Sequence, residues 1–162
     1  MTLDHRYQGI VKTAMISAAG VGTVGTFLPV VDLAGITTTW TTMVVAIAKA
    51  SGHPASTAMV GKLVAAAVAG VSGYYAGSKM LSAVALPLIV AFPVVGVPSV
   101  VAVNVMLNGL FTYRLGKSCA ADFSRPGFTA DDLADLAARI TQLLVKIPMP
   151  RELAEVKQLL FQ

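Results

Sequence analysis

The sequence predicts an all-α fold, and three observations carry that expectation. Apolar residues recur at helical spacing, as in Leu3, Tyr7, Ile10 and Ala14. Residues suited to starting helices stand just ahead of such stripes: Asp32, Thr129 and Pro150. Small residues repeat four apart, as at Ala65 and Ala69 or Gly73 and Gly77, the spacing that lets helix backbones approach closely.

The elements follow in order. Residues 3–28 form the first helix, whose apolar face continues into Ala18, Val21 and Val24, with Gly22 and Gly25 as a packing groove. Pro29 breaks it. Asp32 caps a second helix from about Leu33, with Ile36, Trp40, Met43 and Ile47 on one stripe and the ladder Thr37, Thr38, Thr41 and Thr42 on another. Gly52-His53-Pro54 ends it. A third helix, about 56–78, carries the small-residue ridge Gly61, Ala65, Ala69, Gly73 and Gly77. Residues 80–92 are apolar and too short to cross a bilayer, so a re-entrant or buried hairpin is expected through Pro93 and Pro98. The next helix, about 99–122, bears a polar stripe at Asn104, Asn108 and Thr112, which must find partners if buried.

Two amphipathic helices close the chain. Leu133, Leu136, Ile140, Leu143 and Leu144 face inward in the first, and Leu153, Val156 and Leu160 in the second.

Composition sets the environment. Only 12% of the 162 residues are charged, against about 25% in an ordinary soluble domain, and 56% are hydrophobic. A membrane or a subunit interface must absorb that apolar excess. Charge is also uneven: between Lys12 and Arg114 only Asp32, Lys49, Lys62 and Lys79 are charged, whereas charges crowd the chain after Lys117. An apolar, membrane-associated body of helical hairpins (1–125) and a charged amphipathic tail (126–162) are therefore expected. The net charge of +4 comes without a basic run or an interleaved aromatic stripe, which argues against nucleic acid. One cysteine, Cys119, fits a reducing compartment, and residues 1–12 do not read as a cleavable signal peptide. Arg6, Lys12, Lys117 and Arg125 place both termini on the cytoplasmic side, of the inner membrane if the cell is bacterial.

No motif supports catalysis, a metal or a cofactor. Gly20, Gly22 and Gly25 have the spacing G-x-G-x-x-G, but a helical stretch precedes them and no acid lies about twenty residues on. Gly116-Lys117-Ser118 resembles the end of a phosphate loop, yet Phe111 stands where its first glycine belongs. Gly61-Lys62 is followed by Leu63 rather than Ser or Thr. His5 and His53 have no partners at metal-ligand spacing.

From Thr26 to Phe123 the order of features resembles the YcjF-like family. The shared features are Pro29-Val30-Val31-Asp32 and the glycine- and alanine-rich helix, with Ser51-Gly52 at the corner where the family has Tyr-Gly. Phe92-Pro93-Val94-Val95-Gly96 and Thr112-Tyr113-Arg114-Leu115-Gly116 complete them. The family is a membrane-associated domain also found C-terminal to some Era-type small GTPases. The resemblance implies a helical membrane module without known enzymatic activity, and it carries over no catalytic residue.

Three functions are compatible with these features. The first is a non-enzymatic membrane protein with a structural role, assembling into a homo-oligomer through its small-residue ridge. The second is an adaptor that docks a small GTPase or another partner through residues 129–162. The third is a pore lined by Asn104, Asn108 and the threonine ladder.

Overall fold

The computed structural model describes residues 3–25, 29–53, 56–76, 99–129, 131–144 and 146–161, and among these every regular element is an α-helix. They are α1 (His5–Gly25), α2 (Pro29–Ala50), α3 (Thr57–Ala76), α4 (Ser99–Phe123), α5 (Asp132–Leu144) and α6 (Pro150–Phe161). The expected hairpin at 80–98, and Gly77 with it, lie outside the described residues.

Local chemistry sets the helix ends. Asp4 caps α1, its carboxylate accepting the Arg6 N–H at 2.9 Å. Ser56 caps α3 through the Met59 N–H at 3.2 Å. Gly52, at φ +76°, closes α2: its N–H reaches the Lys49 carbonyl and the His53 N–H reaches that of Ala48. That paired return of the chain needs a left-handed residue, which glycine supplies without strain. Before α5, Asp132 reaches back to accept both the N–H and the hydroxyl of Thr129, at 2.7 and 3.0 Å.

One expected boundary is corrected. Asp32 does not cap α2 but lies within it, because the helix already begins at Pro29. Proline has its φ preset for the first helical turn and lacks only an N–H that the turn leaves unbonded anyway, so it starts this helix rather than merely ending the previous one.

Contacts fix the topology of α1–α4. Tyr7 near the start of α1 meets Ser51 after the end of α2 and Ser124 after the end of α4. Further along, Val21 of α1 lies against Gly35 of α2, and Ala18 meets Asn108 of α4. Hence α1 runs antiparallel to both α2 and α4, and the tight Gly52 turn sends α3 back alongside α2. α5 packs on α3 and α4, and α6 on α4 and α1.

The core is continuous through all six helices. Tyr7, Val11, Met15 and Ala18 of α1 are fully buried against Trp40, Met43, Val44 and Ile47 of α2 and Leu110, Tyr113 and Leu115 of α4. Leu133, Leu136, Ile140, Leu153 and Val156 join the same core, so the tail spends its apolar stripes on its own chain. Close approach depends on glycine at the point where three helices meet. A Cβ on Gly116 would lie 2.7 Å from Val11 Cγ2 and 3.1 Å from Met43 Sδ.

The antiparallel topology also sorts charge. Arg6, Lys12, Lys49, Lys62, Arg114, Lys117 and Asp122 all fall toward the end of the bundle marked by Tyr7, Ser51 and Ser124. Toward the other end, the charge-free stretches of the four helices lie side by side, each about 20–24 Å long at 1.5 Å per residue. Asp32 is the single charged residue there among those described. No helix among the described residues is long and apolar enough to cross a membrane.

Candidate functional site

Arg114 carries the first charge met along α4, and its side chain is 3% exposed. A guanidinium at that depth must have every donor engaged. Its Nε and Nη2 donate to the two carboxylate oxygens of Glu152 at 2.8 and 2.7 Å. Its Nη1 donates to the carbonyls of Leu143 and Lys146 at 3.1 and 2.7 Å. One side chain thus ties together the last turn of α5, the connecting loop and the first turn of α6.

One turn away sits a second polar set. The Tyr113 hydroxyl donates to Glu155 Oε2, and Lys117 Nζ donates to that same oxygen at 3.1 Å and to Tyr113 at 2.9 Å. Burial and the facing Glu155 carboxylate push the Tyr113 phenol far above its ordinary range. Burial works against the charged form of Glu155 as well, but the Tyr113 and Lys117 hydrogen bonds outweigh it and hold the carboxyl below its usual value. Beside this pair, a cleft of about 510 Å³ opens between α1, α4 and α6, with His5, Gln8, Lys12 and Gln158 on its walls. Its carboxylate is engaged by three donors (Arg151 approaches Oε1 at 3.5 Å) and its phenol stays protonated. The set works as a lock between helices.

No family model, no curated protein and no solved structure matches this chain. The geometry is therefore the ground on which its residues are read.

The polar stripe on α4 finds partners inside the bundle. Thr112 accepts the Trp40 indole N–H at 2.8 Å and donates to the Asn108 carbonyl at 2.6 Å. The Asn108 amide donates to the Ala18 carbonyl at 3.4 Å. The Asn104 side chain lies outside the described residues. The threonine ladder points elsewhere: Thr38 and Thr42 are exposed and, with Thr13, Ser17 and Thr39, line a groove of about 500 Å³ between α1 and α2. Among the described residues, the two polar stripes line no common cavity.

The described part of the small-residue ridge of α3 faces outward. Ala65 and Ala69 are exposed, and a Cβ on Gly61 would meet nothing within 4 Å. The surroundings of Gly22, Gly25 and Gly73 lie outside the described residues. Gly20, Gly22 and Gly25 all sit in the continuous helix α1, where no phosphate-binding turn exists. Gly116-Lys117-Ser118 is likewise helix interior. His5 lines the cleft while His53 packs edge-on against Phe128 at 6.0 Å, and among the described residues no three metal-ligating side chains come together.

A third polar junction sits where α1 starts and α2 and α4 end. The Tyr7 hydroxyl shares hydrogen bonds with Ser51 and Ser124, each at 2.8 Å, and accepts from Arg6. Burial raises the Tyr7 phenol, but these bonds and the Arg6 charge together bring it below its ordinary value. Nearby on α4, Cys119 is fully buried, and burial pushes its thiol far up.

The clamp and the locks went unread in the sequence because their partners on other elements are 29 to 117 positions apart. One signal was available. A lone arginine inside an apolar helix demands a carboxylate, and the first turn of α6 supplies Glu152.

Proposed function

We propose that this chain is a non-enzymatic, α-helical membrane-associated module. Its charge-poor end enters the bilayer while its clamped, charged end stays in water. The observation that carries this reading is the sorting of charge by topology. Four charge-poor stretches that are far apart in sequence share one end of one bundle. Their depth of about 20–24 Å falls short of a hydrocarbon core of about 30 Å, which favours insertion from one side over a full crossing.

Lateral self-association is the second part of the proposal. Along this ridge Ala65 and Ala69 are exposed and a Cβ on Gly61 would meet open space, which suits a second helix at close range. Docking of a small GTPase by α5 and α6 is less favoured, since their apolar stripes are already buried on the chain itself. A pore is less favoured because Asn108 and Thr112 are satisfied within the bundle.

Vesicle flotation tests the membrane reading. The purified chain should rise with phospholipid vesicles, and it should resist extraction by alkaline carbonate. A chain that stays at the bottom of the gradient with every lipid composition overturns it.

A further inference from the structure

The loop between α5 and α6 breaks the rule that large apolar side chains turn inward. Ile147 is 59% exposed and Met149 is 70% exposed, while Pro148 between them is buried. The two exposed side chains are bracketed by Lys146, also exposed, and by Arg151, whose side chain is 76% exposed. The acids near them are turned away. Glu152 is held by Arg114, and Glu155 is shared by Tyr113, Lys117 and Arg151.

Residues 146–151 are tied to the bundle. The buried Arg114 guanidinium holds the Leu143 and Lys146 carbonyls, and Pro148 and Pro150 fix the backbone on either side of Met149. It is also held at a particular height, level with Arg114, where the charge-free half of α4 gives way to the charged half.

We propose that residues 146–151 form a preorganised anchor for an anionic phospholipid surface. Ile147 and Met149 enter the acyl boundary while Lys146 and Arg151 meet the headgroup phosphates. The proposal rests on the membrane reading above and adds to it a lipid class and a point of contact. Apolar side chains flanked by cations suit an anionic interface, where buried apolar area and electrostatic attraction act together. Because the loop is already fixed, little ordering entropy opposes its insertion.

Flotation of the full chain with phosphatidylcholine vesicles, and with vesicles containing phosphatidylglycerol, tests the anchor. The wild type should favour the anionic vesicles. I147S/M149S should weaken partitioning to both by about tenfold, since two large apolar side chains leave the interface. K146Q/R151Q should weaken anionic binding by roughly fivefold per cation and leave neutral binding unchanged. If I147S/M149S floats like the wild type, the anchor is overturned while the bundle reading stands. If the wild type floats with no vesicle, the membrane reading falls and the anchor falls with it. If I147S/M149S instead lowers the oligomeric mass in lipid-free light scattering, with flotation unchanged, the loop is a contact between copies and the proposal is overturned.

Discussion

Trp40 on α2 donates its indole N–H to the hydroxyl of Thr112 on α4 across 2.8 Å of buried interior. The hydroxyl in turn donates a hydrogen bond to the Asn108 backbone carbonyl one turn back, so two helices are joined by a short polar chain in an apolar core. Thr112→Val keeps the side chain's shape but strands the indole donor. The expected cost is about 1–3 kcal/mol, read as a lower urea midpoint with an unchanged slope. As the chain has one tryptophan, fluorescence follows this contact directly.

The Arg114 clamp predicts an asymmetric pair of mutants. Glu152→Ala leaves a buried guanidinium half unpaired and should destabilise the chain by roughly 3–5 kcal/mol. The double variant with Arg114→Met and Glu152→Leu removes both charges, and should recover part of that loss. Denaturant titration of the two proteins checks the order.

Glycine positions separate into two kinds. Gly116→Ala forces a methyl group to within 2.7 Å of Val11 and should cost about 1–3 kcal/mol. Gly61→Ala and Gly20→Ala meet open space on helix surfaces and should each add about 0.5–1 kcal/mol through helix propensity. Thermal unfolding of the three variants compares them.

Acid should weaken the fold from two places. Hydrogen bonds from the Thr129 N–H and hydroxyl hold the Asp132 carboxyl below its ordinary range. Glu155 is likewise held down, by Tyr113 and Lys117, against the upward push of burial. For carboxyls depressed in the folded state, the stabilisation is complete above the unfolded value of about 4 and is lost as pH falls through the lower folded value. Stability should thus be level from neutral pH to about 5 and then decline. Asp132→Ala should make that decline shallower in urea titrations at graded pH.

The ridge on α3 predicts the oligomer. Ala65→Leu with Ala69→Leu should leave the melting temperature of the chain unchanged while lowering the assembled mass in detergent. Light scattering reads the mass, and an assembly of wild-type size would exclude this face.

Much of the fold was legible in the sequence because it depends on neighbours along the chain. The stripe of Ile36, Trp40, Met43 and Ile47 is buried as its spacing implies, as are Leu133, Leu136 and Ile140. At α1 the expected face is buried at Leu3, Tyr7, Ala14 and Ala18, but it is wider than its spacing implied: Val11 and Met15 are fully buried as well, while Ile10 is half-buried. Helical spacing fixes a stripe's period but not its width when most residues are apolar all round. The start of α2 was misread because proline both ends one helix and begins the next. Among the glycines named for packing or oligomerisation, Gly61 is open to a neighbour outside the chain, while Gly35 and Gly116, which were not named, are crowded within it. A glycine's neighbours across a helix interface leave no trace in its local sequence. The Arg114 clamp and the exposed Ile147 and Met149 depend on how α5 and α6 fold back, which no local pattern specifies.

Cys119 carries a practical consequence. It is the chain's one thiol, fully buried on α4, and burial keeps it protonated. The thiolate is the reacting form, so the folded chain should be silent to alkylating reagents. Each modification then records an opening event that exposes this part of α4, and the labelling rate measures the free energy of that opening. The molecule carries its own clock for local unfolding, readable by mass in lipid, detergent or water alike.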